Sequence, residues 1–359
     1  MPEPRILAIN PGSTSTKVAV YEGESPLFIK NIKHATGELC AFSDMAEQYH
    51  FRKEIILAEL AAAGIEPSSL SAIVGRGGLL KPIASGVYFV NESVILALRE
   101  GLKFSQHASN LAGLIADDIA RGLPDTVAYI ADPPVVDEMD DIARITGHPL
   151  FERKSRFHAL NQKAVARRHA RAIGGAYEEL NLIIAHMGGG TSIGAHRRGM
   201  IVDVNDAFDG EGPFTPERSG TLPAGDLARL CFSGDYTYDE VRKMLTGKGG
   251  LTAYFGTNDA HEIEKMGAAG DSRARLIMDA MAYQVSKEIG AMFTVLKGDV
   301  DAIILTGGIA FNKRTNDAII ERVGRLAPVS IYPGEDEMET LALNGLMVVR
   351  GEVMAKEYR

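Results

Sequence analysis

Short apolar runs recur along the chain and are separated by segments of helical period. The runs "ILAIN" (6–10), "KVAVYE" (17–22), "AIVG" (72–75), "TVAYIA" (126–131), "NLIIAHM" (181–187), "TSIGAHRR" (191–198) and "VDAIILTGG" (300–308) are rich in β-branched residues and read as strands. The clearest helix covers 271–298. Its apolar Leu276, Ile277, Met281, Val285, Ile289, Met292 and Leu296 recur at close to the helical period, Asp271 stands at the N-cap position, and Gly298 follows the last turn. A second helix fits "SQHASNLAGLIADDIARG" (105–122). Strands alternating with helices predict an α/β protein.

The pattern also echoes itself. "LAINPGSTSTKVAVYEGE" (7–24) and "IIAHMGGGTSIGAHRRGM" (183–200) each read as strand, polar glycine-bearing tip, second strand and turn, about half a chain apart. The echo is either coincidence between two hairpins or a duplicated domain. Residues 203–226 are dense in Gly, Pro and Asp and predict a long loop, a feature that usually serves function. The tail from 337 onward reads as a closing helix interrupted near Gly345 and Gly351.

A length of 359 residues exceeds one ordinary core, so two domains are expected. The net charge of −9 argues against a nucleic-acid binder, yet a local pocket can still hold a small anion. Cys40 and Cys231 form no CxxC and are expected to be small buried hydrophobes, not a disulfide or a zinc site. No secretory leader and no apolar run of membrane-spanning length is present in the sequence, so a cytoplasmic protein without membrane partners is expected.

Three strand tips carry candidate chemistry. At the first, Gly12, Ser13 and Ser15 offer hydroxyls and successive N–H groups suited to an anion, with Lys17 just beyond; an ordinary hairpin turn is the alternative. At the second, Gly188, Gly189 and Gly190 follow His186, and three glycines exceed what a plain turn needs. At the third, Gly307 and Gly308 precede a possible helix N-terminus. Together they favour a nucleotide site. There is no G-x-x-x-x-G-K-[ST] and no G-x-G-x-x-G after a strand. Gly190 to Gly194 matches G-x-S-x-G, but a strand follows where a nucleophile elbow needs a helix. Asp203, Asp206, Asp209 and Glu211 miss the calcium-loop spacing and read as a solvated acidic loop. Arg76 between glycines and Arg218 in the long loop are each a bidentate phosphate ligand or a surface arginine, and His158 is catalytic or structural.

Taken in order, "INPGSTSTK", "GRGG", "FHALN", "HMGGGTSI", "PFTPERSGT" and "LTGGIAFN" resemble the acetokinase family of acetate, propionate and butyrate kinases across essentially the whole chain. "AINPGSTSTK", "GRGGLL" and "SGTLP" are nearest to its butyrate kinase branch. The resemblance implies two duplicated α/β domains of the actin, Hsp70 and sugar-kinase (ribonuclease H-like) kind around an ATP cleft. It places them at 1–155 with a returning helix 340–359, and at 156–339 for nucleotide binding. It implies transfer of the γ-phosphoryl of ATP, with Mg2+, to a short-chain carboxylate in a homo-oligomer. Such a carboxylate is already ionised at pH 7, so no general base is needed; positive charge on an in-line transition state is. Arg76, Arg218 and His158 are the expected sources of that charge. By resemblance, Asn10, Ser13, Ser15 and Lys17 meet phosphate or metal. His186 and Gly188 to Gly190 line the phosphates, and Asp259, Gly307, Gly308 and Ile309 hold the nucleoside. Asn10, Asp132 and Glu339 hold Mg2+ or its waters.

The chain departs from acetate kinases in three places. Gly220 to Asp226 lacks their arginine, which leaves Arg218 as its substitute or the role vacant. Gly189 replaces their asparagine, and Arg76 aligns with their histidine. Gly75 aligns with a valine that crowds the acetate methyl, so a pocket widened at Gly75 and walled by Phe157 and Pro216 would favour a C4 acid about tenfold, at ~0.8 kcal/mol per methylene. The rival expectations are an acetate or propionate kinase, a sugar kinase, and a non-catalytic actin-like ATP-binding module.

Overall fold

The computed structural model describes residues 3–12, 14–39, 41–104 and 108–359; Ser13 and Cys40 lie outside them. The chain divides into two compact units, Met1–Val136 with Asp336–Arg359, and Asp137–Glu335. The expected boundaries were 155/156 and 339/340. Residues 137–155 belong with the second unit because their charges are spent there: Arg197 pairs with Asp140 at 2.8 Å, and Arg153 pairs with Asp203 at 2.8 Å.

The first unit is built on six strands: β1 (Arg5–Pro11), β2 (Ser15–Glu22), β3 (Ser25–Lys33), β4 (Ala72–Arg76), β5 (Val87–Phe89) and β6 (Val127–Ala131). Their order is β3-β2-β1-β4-β6-β5. Strands β1, β4 and β6 run parallel, and β1-β2-β3 form an antiparallel meander. The second unit holds β7 (Asn181–Met187), β8 (Thr191–Arg197), β9 (Met200–Val204), β10 (Ala302–Gly307) and β11 (Val329–Pro333), in the order β11-β10-β7-β8-β9. Here β7, β10 and β11 are parallel, and β7-β8-β9 are antiparallel. The sequence echo is therefore a duplication, because both hairpins occupy the same place in sheets of the same order.

Parallel strands bury both faces, which explains their unbroken apolar runs. In the first unit Leu7, Ile9 and Ile73 share a core with Leu111 and Ile115 of the helix Asn110–Arg121. On the opposite face Ile6 and Val74 meet Gly345 of the helix Glu337–Val349, where a Cβ would fall 2.5 Å from Val74. Gly345 thus allows close helix–sheet packing and, contrary to the expectation from sequence, does not interrupt the helix; the helix ends before Gly351, whose φ is +74°. In the second unit Ile183, Ala185, Ile303 and Leu305 face the helix Ser272–Val295, while Leu182, Ile184, Ala302 and Ile304 face the helix Ala159–Ala172.

The helix Ser272–Val295 begins as expected, with the Asp271 side chain accepting from the N–H groups of Arg273 and Ala274. Leu276 is the exception to its expected face: five residues before Met281 puts it roughly 140° around the axis, and it is exposed. Cys231 is also exposed, at the end of a helix with no buried residue, and is not a core residue. The acidic loop is solvated only in part, at the exposed Asp209. Asp203 and Asp206 are buried, with Arg153 held between Asp203 and Glu211 and Arg156 paired with Asp206 and, at 3.1 Å, with Asp209. No helix of the described residues is long and apolar enough to cross a membrane.

Candidate functional site

In each unit the candidates gather at the carboxyl ends of the parallel strands, where open α/β sheets bind ligands. In the first unit the centre is Glu337, a residue the sequence reading passed over. Its carboxylate is nearly buried yet accepts from Asn10 Nδ2 at 2.5 Å, lies 2.9 Å from Arg76 Nη1, and is 4.0 Å from Lys17 Nζ. Burying a carboxylate is costly unless it is paired, and these three partners pair it. Asn10 and Lys17 face each other in the β1–β2 register. The expected acid, Glu339, is exposed and points elsewhere; its charge, with that of Asp336, adds to the burial that raises the Tyr21 hydroxyl's pKa. Two residues along a helix turn a side chain to the opposite face, so the sequence alone could not choose between Glu337 and Glu339.

Asp132 follows Ala131, the β6 partner of Arg76. Its backbone is left-handed at φ +36°, and its Oδ1 accepts from Ser85 Oγ at 2.6 Å and from the Gly86 N–H at 2.9 Å. Ser15 is half-buried; its carbonyl accepts from the Gly12 N–H at 2.7 Å and from Arg52 Nη1 at 3.1 Å. Arg52 is fully buried under this hairpin tip and donates to Thr16 Oγ1 and the Gln48 side chain as well. Burial lowers its pKa to about 10. In sequence it looked like one more surface charge of the helix Gln48–Ala62.

Gly75 does not open a pocket. A Cβ there would lie 2.7 Å from the backbone carbon and 2.8 Å from the backbone oxygen of Ala112, so its missing side chain makes room for the helix Asn110–Arg121. Gly77 and Gly78 are glycines for similar reasons, against Pro133 and against Asn110 and Leu98. The expectation that Gly75 sets acid length is corrected accordingly. Phe157 and Pro216 are both buried.

In the second unit the triglycine tip lies among cationic and imidazole groups. A Cβ on Gly190 would fall 2.2 Å from Arg218 Nη1 and 3.2 Å from His158 Cε1, so Gly190 brings these two together. The Arg218 guanidinium donates to the Ala207 carbonyl, lies 4.9 Å above the Phe208 ring, and makes no ion pair among the described residues. Burial lowers its pKa, against the opposing pull of Glu217 and Asp206. His158 and His186 stack at 3.8 Å and 13°. His186 Nδ1 is 2.8 Å from Asn161 Oδ1, and its Nε2 is 3.1 Å from Glu335 Oε1. Gly188 and Gly189 face Glu335 and Glu217 at ordinary contact distance. Ser192, the serine of the G-x-S-x-G match, is fully buried on β8 and hydrogen-bonded to His158 Nδ1 at 2.9 Å, which fits its exclusion as a nucleophile.

Gly307 has φ +87° and lies so close to Met187 that a Cβ would be 2.4 Å from its carbonyl oxygen, whereas Gly308 faces open space. Asp259 is exposed and caps the helix Ala260–Ala268 by accepting from the His261 and Glu262 N–H groups. Ile263 of that helix and Asn312, which follows the turn Gly308–Phe311 containing the buried Ile309, line one shallow groove. Among the described residues no three His, Cys, Asp or Glu side chains cluster as a metal site.

Two sheets of one strand order, each with its candidates at the carboxyl edge, define the duplicated α/β class to which actin and the sugar kinases belong. The chain matches the acetokinase family over residues 147–327 and is 54% identical, across 99% of both chains, to butyrate kinase 1 of Clostridium acetobutylicum; it belongs to the acetokinase family. In fold it is similar to the acetate kinase of Porphyromonas gingivalis, with a TM-score of 0.78 at 20% identity over 97% of this chain and 100% of that one. The ROK hexokinase of Thermus thermophilus is a more distant likeness, with a TM-score of 0.50 at 17% identity over 95% and 98%.

Proposed function

We propose that the chain transfers the γ-phosphoryl group of ATP to butyrate, reversibly, giving butyryl phosphate and ADP. The observation that carries phosphoryl transfer is Arg218, a half-buried guanidinium with no ion pair among the described residues, set beside His158 over the triglycine tip. The choice of butyrate rests on the Clostridium relative.

The acid enters ionised, since an aliphatic carboxyl titrates at roughly 4–5, like a side-chain carboxyl. One carboxylate oxygen forms the new bond to phosphorus. The bond from phosphorus to the β-phosphate bridging oxygen breaks, and ADP leaves with that electron pair. No proton need move at the attacking oxygen, so the chain's task is to position and to balance charge. Arg218 and His158 donate to the equatorial oxygens of the transferring group, and His186 with Gly188 to Gly190 lines the phosphates. Asp259, Gly308 and Ile309 hold the nucleoside, with Gly307 shaping the turn. In the first unit, Arg76 and Lys17 supply positive charge, and Ser13 and Ser15 meet phosphate.

The oxygen donors Asn10 Oδ1 and Glu337 suit Mg2+, a hard cation that takes one or two carboxylates and keeps water and phosphate as its other ligands. Asn10, Glu337 and Asp132 would hold it or its waters, with Glu337 in the place first given to Glu339. Bound there, Mg2+ neutralises charge on the phosphate oxygens. The setting is a cytoplasmic homo-oligomer, as family membership suggests.

A hydroxylamine trap with ATP, Mg2+ and acids of two to five carbons tests this reading. Butyryl hydroxamate is expected as the main product. No hydroxamate from any acid would overturn carboxylate phosphorylation, and a preference for acetate would overturn the choice of acid.

A further inference from the structure

Behind His158 runs a chain of buried polar side chains that nothing above has put to use. Tyr177 Oη lies 2.7 Å from His196 Nδ1, and His196 Nε2 lies 2.9 Å from Gln162 Oε1. Gln162 Nε2 lies 3.1 Å from the Ser192 carbonyl and 2.8 Å from Ser192 Oγ. Ser192 Oγ lies 2.9 Å from His158 Nδ1. Gln162, Ser192 and His196 are wholly inaccessible to solvent, and Tyr177 nearly so.

The direction of every bond in this chain follows from one fixed point. A backbone carbonyl only accepts, so the nitrogen of the Gln162 amide must face Ser192 and its oxygen must face His196. An amide oxygen also only accepts, so His196 carries its proton on Nε2. Burial holds the His196 pKa well below the ordinary histidine value, so the ring is neutral and its Nδ1 accepts from the Tyr177 hydroxyl. At the other end, the two amide protons of Gln162 go to the Ser192 carbonyl and Oγ. The Ser192 hydroxyl proton then has one acceptor within reach among the described residues, His158 Nδ1.

Gly194 fits the same design. A Cβ there would sit 2.6 Å from Gln162 Oε1 and 3.3 Å from His196 Nε2, so the chain exists only because position 194 lacks a side chain.

We propose that Gln162, Ser192, His196 and Tyr177 are positioning residues that fix the tautomer of His158. The chain holds the His158 proton on Nε2, so that the ring offers an N–H donor, and not a lone pair, to an anionic oxygen. Cε1, the carbon that joins the two ring nitrogens, lies toward Gly190, and with Nδ1 taken by Ser192 the ring's remaining nitrogen is Nε2. The inference rests on the reading of His158 as a donor to the transferring phosphoryl group. A donor aimed at developing charge is worth about a hundredfold or more in rate, while a lone pair in its place repels that charge.

The test is 15N-histidine NMR on the full chain at about pH 8.5, above the ordinary histidine range, with His158→Gln to assign the signal. In the unsubstituted protein His158 should show protonated Nε2 and bare Nδ1. Ser192→Ala and the near-isosteric Gln162→Met should each give a mixture of tautomers, and Ser192→Thr, which keeps the hydroxyl, should restore the single form. Activity read alongside should show kcat down about tenfold in Ser192→Ala and Gln162→Met, with KM for both substrates within twofold. Protonated Nδ1 in the unsubstituted protein, or a tautomer unmoved by both substitutions, overturns the inference. A tautomer that moves while kcat does not would uphold the chain and instead remove the role given to His158 under the proposed function.

Discussion

The two sheets share a strand order, but their tips are finished differently. In the first unit the β1–β2 tip is a matter of formal charge: Arg52 is buried beneath it, and Glu337 is held by Asn10, Arg76 and Lys17. In the second unit the β7–β8 tip is backed by the His158–His186 stack and a hydrogen-bonded chain through Ser192 to His196, with the Arg218 guanidinium and the carboxylates of Glu217 and Glu335 beside the glycines. Their glycines differ in the same way. Gly75, Gly77 and Gly78 are packing glycines that let neighbouring backbone and side chains approach, whereas Gly190 exists to admit Arg218 and His158. Duplication fixed the frame, and each copy then filled its strand ends by different physics. Similar glycine-rich wording in a sequence therefore does not mean a similar purpose.

Substitutions in three places would break or sharpen this contrast. The largest effect is expected at Arg218: Arg218→Ala should lower kcat about a thousandfold, because a guanidinium that makes no ion pair among the described residues is lost from the second tip. Arg218→Lys should recover only part, since a lysine cannot reproduce the planar fork. A thermal melt separates this from unfolding, and a loss below tenfold would mean that charge at this tip is not what the site uses. Next comes Gly75→Val. It should cost about 3 kcal/mol of stability in urea unfolding, because added carbons would press into the Ala112 backbone. The relative rates with C2 to C5 acids should stay as they were; a stable variant that now prefers acetate would restore the widened-pocket reading. The smallest effect concerns the two acids of the last helix. Glu337→Gln should lower kcat between tenfold and a hundredfold, the scale seen when a group holding a ligand-bearing side chain is lost. Glu339→Gln should stay within twofold, and equal losses in both would remove Glu337 from the centre of the first tip.

Much of the frame could be read in advance. The runs at 6–10, 181–187 and 302–307 read as strands of an α/β protein, and the hairpin echo, open between coincidence and duplication, pointed to the repeat that the two sheets show. His186, Gly190, His158 and Arg218 stood out as odd residues for their places, and the fold brings them together. Arg52, Gln162 and His196 gave no such signal. Each looks like an ordinary polar residue on a helix or strand, and its burial depends on which element packs above it.

The sequence by itself determined the strand and helix periods and the family to which the wording belongs, and it raised duplication as one of two readings, because these depend on local pattern and order. Tertiary structure decided which of two acids two residues apart meets Asn10. It also decided that Gly75 serves a helix and not a substrate, and that a tyrosine, two histidines, a glutamine and a serine spread over 39 positions join in one directed chain. Those outcomes rest on side-chain direction and on the packing of distant segments, quantities that a one-dimensional pattern does not carry.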